Sequence, residues 1–253
     1  MTVQSFHDFL TALTPNVICG DALSVLKNLP TGMFDLVLAD PPYGATQNHW
    51  DRPISSELLW PHLTRICKGA IVLTAIQPYA SELVTSGRPW FRHEWVWSKN
   101  KGSGHLNCSR APLRYHEHVL VFARDSYVYN PQMTVGHKPG NYAKRRTATS
   151  NYGAQKETEY GGQTQRYPRS IQEFAVVNND SLYRTHPTQK PVDLFRYLIR
   201  TYSNPGNHVL DFCAGSGTTG VAARMEGRFA TLIELDPEYC EAARQRVSRD
   251  PLL

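Results

Sequence analysis

The residues best suited to chemistry are Asp40-Pro41-Pro42-Tyr43. They follow the apolar run 34–39, which predicts a buried strand. Two prolines then end the strand, because proline cannot donate to a sheet ladder and fixes its own backbone torsion. The resulting stiff turn holds a carboxylate, backbone carbonyls and an aromatic ring at the carboxyl end of a strand, which is where open α/β sheets bind ligands.

These groups suit the binding of a flat base that carries an exocyclic amine. Asp40 and the Pro41 carbonyl can accept the two amine hydrogens, and Tyr43 can lie on the ring face, a contact worth about 1–3 kcal/mol per base. Drawing the hydrogens out of the ring plane makes the nitrogen a better nucleophile. A strand-ending turn, with Asp40 as a helix cap and Tyr43 as a packing residue, explains the same residues equally well.

A second constellation is the glycine-rich turn Gly215-Ser216-Gly217-Thr218-Thr219-Gly220, between a predicted strand and a predicted helix. It fits G-x-G-x-x-G, and Glu234 ends the following strand as a ribose ligand would. A nicotinamide-dinucleotide enzyme is therefore one alternative. Only 33 residues follow Gly220, which leaves no room for the rest of a six-stranded dinucleotide-binding domain. We therefore expect an S-adenosylmethionine site instead, in which the glycine turn approaches an adenosine and holds no pyrophosphate.

Three further side chains complete this predicted cofactor site. Glu234 would receive the ribose hydroxyls, and Lys190 would meet the methionine carboxylate. Asp21 follows a predicted strand and would accept from the adenine amine, although capping of the next helix explains it nearly as well.

Composition limits the class of protein. The chain has 253 residues, of which 41% are hydrophobic, enough for one large α/β domain with a modest insertion. No run approaches the roughly 18 apolar residues of a membrane helix, and the N-terminus does not resemble a signal peptide. The five cysteines are odd in number and widely spaced, which indicates neither a disulfide framework nor a zinc site. We expect a cytosolic protein with reduced thiols.

Positive charge is concentrated in the middle of the chain. Residues 88–169 hold 14 Lys and Arg against 5 Asp and Glu, whereas the remainder holds 13 against 17. A basic segment on a mildly acidic body is what phosphate binding requires, although a solvated surface without a partner has the same composition. The candidate DNA-binding residues are Lys99, Lys101, Arg110, Arg114, Lys144, Arg145 and Arg146.

Periodicity predicts alternating strands and helices, with two alternating strands at 93–97 and 118–123 forming an antiparallel pair at one sheet edge. Residues 44–54 are polar, so we expect a mobile loop beside the first motif. Periodicity is lost over 125–184, which holds seven of the 13 tyrosines. Basic residues among aromatics favour nucleic-acid binding there, and a disordered insertion is the alternative.

Together these motifs resemble the amino-methylating DNA methyltransferases, specifically the β-ordered group, in which the catalytic motif comes first and the cofactor motif last. The resemblance rests on residues 40–43, on His186-Pro187-Thr188-Gln189-Lys190-Pro191, on 211–219 and on 233–239. The segment with Asn107, 112–114 and 116–117 is similar to small phage and orphan-type members.

The resemblance implies an α/β, Rossmann-like fold with a seven-stranded, mostly parallel sheet and an inserted target-recognition segment. Residues 1–124 would form the catalytic half, 125–184 the insertion and 185–253 the cofactor-binding half. It also implies catalysis by 40–43 on the 6-amino group of a flipped adenine, because cytosine-specific members usually have serine at position 40. The cofactor would be S-adenosylmethionine, bound by Asp21, Thr188, Lys190, Asp211, Phe212, Ala214, Gly215, Ser216, Gly217, Thr218, Thr219 and Glu234.

The resemblance further implies double-stranded DNA as partner, suggests a homodimer, and places the protein in a bacterial or phage-infected cytoplasm. One departure is that Phe212 and Cys213 stand where the family motif has Pro and Phe. This departure leaves open which side chain contacts the methionine portion. The alternatives are transfer to a cytosine 4-amino group, to RNA adenine or to a protein glutamine, and a non-catalytic DNA-binding module.

Overall fold

The computed structural model describes residues 14–44, 51–145, 148–149, 153–154, 158–178 and 189–249. The chain divides into two compact units, one formed by residues 1–130 and 170–253 and the other by residues 131–169. None of the helices in the described residues combines the length and the apolar character that a membrane crossing requires. Positions 45–50 of the predicted mobile loop lie outside the described residues.

Twelve strands and six α-helices are present in these residues. The strands are β1 (Asn16–Cys19), β2 (Phe34–Ala39), β3 (Cys67–Ala75), β4 (Phe91–Ser103), β5 (Arg114–Phe122), β6 (Ala143–Arg145), β7 (Ala148–Thr149), β8 (Gly153–Ala154), β9 (Thr158–Tyr160), β10 (Ile171–Glu173), β11 (His208–Asp211) and β12 (Phe229–Glu234). The helices are α1 (Ala22–Asn28), α2 (Ser56–Ile66), α3 (Tyr79–Ser86), α4 (Val192–Tyr202), α5 (Thr218–Met225) and α6 (Pro237–Ser248).

The first unit is built on one twisted sheet whose eight strands, within the described residues, follow the order β1-β12-β11-β2-β3-β5-β4-β10. Only β5 runs against its neighbours β3 and β4, while the other adjacent pairs are parallel. The predicted α/β class and the antiparallel β4–β5 pair are confirmed. The sheet has eight strands in the described residues, whereas seven were predicted. The additional strand, β10, comes from the predicted insertion and is too short to show the alternation of side chains that identifies a strand.

The sheet is covered on both faces because its strands alternate between two cores. In β2, Leu36 and Leu38 belong to the core under α4, α5 and α6, whereas Val37 and Ala39 belong to the core under α1, α2 and α3. Burial on both faces explains why the strands read as continuous apolar runs in the sequence.

The register between β2 and β3 determines where the first motif, residues 40–43, lies relative to β3. It shifts at Asp35 and then pairs Ala39 with Leu73. A Cβ at Gly69 would lie 2.0 Å from the Asp35 carbonyl oxygen, so only glycine permits this approach. The register brings Asp40, the next residue after β2, beside Thr74 of β3.

The second unit contains two short antiparallel pairs, β6 with β9 and β7 with β8. Thr134 and Arg166 form an isolated antiparallel bridge. The Arg166 guanidinium donates to the Lys138 carbonyl at 2.7 Å and to the Gln163 carbonyl at 2.6 Å. Part of the aperiodic stretch therefore has regular backbone pairing, which its sequence does not predict.

Candidate active site

One cavity of about 1700 Å³ lies at the carboxyl ends of β1, β2, β11 and β12. The turn 40–43 and the glycine turn 214–216 both line it, together with Glu234 and the distal part of the β4–β5 hairpin. These motifs are far apart in the sequence, and they meet because β2 and β12 both pair with β11. The two predicted constellations therefore share a single cavity.

The Asp40 carboxylate is held by three neighbours. The hydroxyls of Tyr43 and Thr74 both donate to its Oδ1 and lie 2.9 Å apart. The Lys190 ammonium donates to its Oδ2 at 2.6 Å. A carboxylate has about four lone-pair positions, so these contacts within the described residues leave one acceptor position, on Oδ2. Asp40 therefore has a fixed orientation and can accept one further hydrogen bond.

Lys190 connects Asp40 to a buried chain of alternating charge. Its Nζ lies 3.4 Å from Glu117 Oε2, and Lys99 donates to Glu117 Oε1 at 3.0 Å. Burial alone lowers the pKa of Lys190, but the carboxylates of Asp40 and Glu117 outweigh burial and raise it. Burial alone raises the pKa of Glu117, but Lys190 and Lys99 outweigh it and lower that pKa. Lys190 and Glu117 thus each stabilise the charged form of the other.

Tyr43 is half-buried. Burial, and then the charge of Asp40, raises the pKa of its phenol well above the ordinary value, so the hydroxyl stays a donor. Lys190 Nζ lies 5.3 Å from the ring centroid. The backbone N–H groups of Tyr43 and Gly44 both donate to Asp51 Oδ1 at 2.8 Å. Asp51 thereby holds the turn in place, and the stacking role of Tyr43 stays a prediction.

The predicted ribose ligand, Glu234, organises the glycine turn. Its Oε2 accepts from the Gly215 N–H at 2.7 Å, and its Oε1 accepts from the Asp236 N–H at 3.0 Å. Asp21, also in the cavity wall, caps α1 by accepting from Ser24 N–H at 2.9 Å. Capping uses Oδ1 of Asp21, so its other oxygen is consistent with the predicted contact to a ligand amine.

Asp211 lies under the same turn and is buried. The Thr219 hydroxyl donates to its Oδ2, and the Cys213 N–H donates to its Oδ1 at 2.9 Å. Burial raises the pKa of Asp211 to about 7, although both hydrogen bonds favour the ionised form. Phe212 is buried within the α1–α3 core, whereas Cys213 is half-buried. Both residues line the cavity, and Cys213 is the more exposed of the two.

The glycine turn is clamped from behind by α6. Arg246 donates to the Ser216 carbonyl at 3.0 Å, to Ser216 Oγ at 2.8 Å and to Thr218 Oγ1 at 3.0 Å. Gly217 has φ of +75°, and a Cβ there would approach Ala243 and Val247 within 3.2 Å. Arg246 and the close packing at Gly217 thus fix the shape of the turn, and Ala214, Gly215, Ser216 and Thr218 line the cavity.

The predicted DNA-binding residues fall into four groups. Lys99 is buried, and its charge is paired with that of Glu117 inside the cavity wall. Lys101, Arg110 and Arg114 are exposed on the β4–β5 hairpin, and Lys101 donates to Asn178 Oδ1 at 2.8 Å. Lys144 and Arg145 are described only by their backbone in β6. Arg146 and the predicted cofactor ligand Thr188 lie outside the described residues.

Sequence patterns alone did not identify Glu117, Thr74 and Arg246 as members of the site. Glu117 appeared only within the family-like segment 116–117. Thr74 had a visible signal, since it is the one polar residue in the apolar run 70–76. Arg246 had no visible signal in the sequence, because helix periodicity does not show which arginine of α6 contacts the glycine turn.

Comparison with known proteins agrees with this geometry. A family model described as DNA methylase matches residues 82–245. The DNA adenine methyltransferase YhdJ of Escherichia coli K12 is 29% identical over 248 residues, which cover 91% of this chain and 82% of the relative.

Two solved structures show the same fold. The PvuII DNA methyltransferase, described as cytosine-N4-specific, gives a TM-score of 0.68 at 16% identity and covers 94% of this chain and 87% of its own. The M1.HpyAVI–SAM complex gives 0.61 at 22% identity and covers 92% of this chain and 99% of its own. Because the family model spans more than half of the sequence, the chain belongs to the N6/N4 DNA methylase family.

Proposed function

We propose that this protein transfers a methyl group from S-adenosylmethionine to the 6-amino group of an adenine flipped out of double-stranded DNA. The observation that carries the proposal is that Asp40, with one acceptor position left, lines the same cavity as the glycine turn at Gly215. A base amine and a methyl donor bound at these two places would meet. The Escherichia coli relative is named an adenine methyltransferase, which supports adenine as the target.

The cofactor would be held by groups around the glycine turn. Glu234 would receive the ribose hydroxyls and Asp21 the adenine amine, while Asp211 would face the positive charge of the methionine portion. Lys190 has three N–H donors; Asp40 accepts one, and Glu117 lies 3.4 Å away as an ion-pair partner, so a donor is available to the methionine carboxylate. When bound, S-adenosylmethionine would supply an electrophilic methyl group, whose bond to the sulfonium sulfur breaks as the nitrogen–carbon bond forms and leaves a neutral thioether.

Residues of the first motif would prepare the target amine. Asp40 and the Pro41 carbonyl accept its two hydrogens, so the nitrogen lone pair points away from both and toward the bound methyl group. The nitrogen gains positive charge as the bond forms, and Asp40 stabilises that charge. The extra proton then leaves to water. Extruding the base costs a few kcal/mol of stacking and pairing, which contacts to the flanking phosphates would offset.

The 4-amino group of cytosine is the second candidate target. It is also an exocyclic amine on a flat ring, so the same two acceptors would orient it. The structural similarity to the PvuII enzyme, described as cytosine-N4-specific, is the observation that favours this candidate. Both candidates use the same residues, and the methylated product distinguishes them.

The product is read directly from DNA. The protein is expressed in a host without amino-methylating enzymes, and the host DNA is digested to nucleosides and also sequenced for modified bases. We expect N6-methyldeoxyadenosine in a fixed sequence context. N4-methyldeoxycytidine would identify the second candidate instead. Unmodified DNA, together with no tritium transfer from labelled S-adenosylmethionine to duplex DNA, would refute the proposed function.

Replacing Asp40 tests its role in the chemical step. We expect Asp40→Ala to lower kcat for methyl transfer on the order of 100- to 1000-fold, as loss of one stabilising electrostatic group does. Calorimetry should show that S-adenosylmethionine still binds. Asp193→Ala is the matched control, since this carboxylate is exposed on α4 and outside the cavity. Near-normal turnover of Asp40→Ala would contradict the role.

A further inference from the structure

Two charged residues in the cavity wall, Glu117 and Lys99, have no task in the proposed reaction. Both are largely buried, with side-chain exposures of 12% and 6%. Burying charges costs free energy unless they are paired. A solvent-exposed position would avoid this cost, so their place beside Asp40 and Lys190 calls for an explanation.

The four side chains form one electrically balanced row. Asp40, Lys190, Glu117 and Lys99 alternate in sign, with successive separations of 2.6, 3.4 and 3.0 Å. Lys99 is also held in place by Trp97, whose ring centroid lies 5.7 Å from its Nζ. Removing any one member leaves an unbalanced charge within the row.

The balance matters at Asp40 Oδ2, the atom with the remaining acceptor position. The Lys190 ammonium occupies one side of that atom, and the target amine would occupy the other. Two hydrogen bonds to one oxygen place these nitrogens about 5 Å apart. A cation at that distance opposes the positive charge that develops on the amine. The Glu117 carboxylate, 3.4 Å from the Lys190 ammonium, would offset this opposition and help to hold the ammonium in place.

We propose that Glu117 is a positioning residue for the methyl transfer, because with Lys99 as its counter-charge it holds the Lys190 ammonium on Asp40 and balances it. The inference rests on the proposed function, since it concerns the same catalytic carboxylate. Glu117 touches neither the base nor the cofactor in this arrangement and acts through Lys190.

Charge balance gives a prediction that simple structural support does not. Glu117→Gln leaves the row with an excess positive charge, and Lys99→Met leaves it with an excess negative charge. We expect each single variant to lower kcat on the order of 100-fold, the loss that follows when a reacting group is misplaced by about 1 Å. The double variant Glu117→Gln with Lys99→Met is neutral again, and its kcat should recover to within about 10-fold of the wild type.

The measurements are kcat with duplex DNA and the dissociation constant of S-adenosylmethionine by calorimetry. The dissociation constant should change less than about threefold in all three variants, because Lys190 keeps a donor for the methionine carboxylate. Glu94→Gln is the matched control, since Glu94 is a half-exposed carboxylate on the adjacent strand, paired with His118. Its kcat should equal that of the wild type.

A Glu117→Gln variant with wild-type kcat would overturn the proposal, and so would a double variant no faster than the slower single variant. If Glu117→Gln alone does not fold, the double variant decides: recovery supports charge balance and loss overturns it. A wild-type protein without methyl transfer would instead refute the proposed function. The two failures are therefore distinguishable.

Discussion

Asp40 is suited to its proposed task by the groups that surround it. Tyr43, Thr74 and Lys190 together use most of its hydrogen-bonding capacity and leave one acceptor position. A carboxylate held from several directions cannot rotate to suit a misplaced ligand, so the geometry of the amine is imposed by the protein. Preorganisation of this kind reduces the reorganisation required during the reaction.

At the residue scale, Asp211 also predicts that the affinity for S-adenosylmethionine depends on pH. Burial raises its pKa to about 7, so it is largely protonated at pH 6 and largely ionised at pH 8. The sulfonium and the methionine ammonium of the cofactor carry positive charge, which favours the ionised form. We therefore expect S-adenosylmethionine to bind about 3- to 10-fold more tightly at pH 8 than at pH 6, because one unit of pKa shift corresponds to at most tenfold.

Calorimetry at constant ionic strength checks this prediction. Asp211→Asn cannot titrate, so its affinity should be the same at both pH values. Equal wild-type affinity at pH 6 and pH 8 would show that Asp211 does not sense the bound charge.

At the scale of elements, the β4–β5 hairpin links the cavity to a surface suited to DNA. Its distal part lines the cavity, and no Asp or Glu occurs between Glu94 and Glu117. Arg110 and Arg114 are exposed there, whereas Lys99 points its charge inward to Glu117. The hairpin therefore carries exposed positive charge immediately beside the proposed base pocket.

Replacing Arg110 and Arg114 together by alanine should weaken DNA binding at low salt. The slope of log affinity against log salt should become shallower by about 1 to 2, since each phosphate contact contributes about 0.9. Arg88→Ala with Arg124→Ala is the matched control, because both are exposed near the opposite end of the same two strands. An unchanged slope in the Arg110 and Arg114 variant would place the phosphate contacts elsewhere.

At the scale of the whole molecule, the residues that line the cavity come from both segments of the first unit, 1–130 and 170–253. The unit 131–169 is inserted between these two segments in the sequence. That unit has its own backbone pairings and contains the basic run 144–146. We expect it to serve in target recognition, because aromatic and basic residues can hold bases and phosphates together.

Replacing Lys144, Arg145 and Arg146 together by alanine tests this role. The salt slope of DNA binding should become shallower by about 2 to 3, while S-adenosylmethionine binding should not change. A control variant with alanine at Lys27, Lys68 and Arg249 removes three exposed charges from the other unit. If both variants change the slope equally, the basic run has no special part in phosphate binding.

Much of the architecture was predictable from sequence, because local signals specify it. Asp236 caps α6 and Pro237 begins it, as their types predict. The apolar runs at β2, β3 and β12 became buried strands, and the antiparallel β4–β5 pair was recognisable from its alternation. Strand β10 was not predictable, since three residues cannot display a period.

The sequence by itself determined the residue types of both motifs and the elements that carry them, because capping, periodicity and proline geometry act over a few residues. Only the tertiary structure decided which charges meet. Asp40 and Lys190 are 150 residues apart, and Lys99 turned inward to Glu117 although its neighbours in sequence suggested a surface residue. Such pairings depend on strand order and register, which bring together side chains that no local pattern relates.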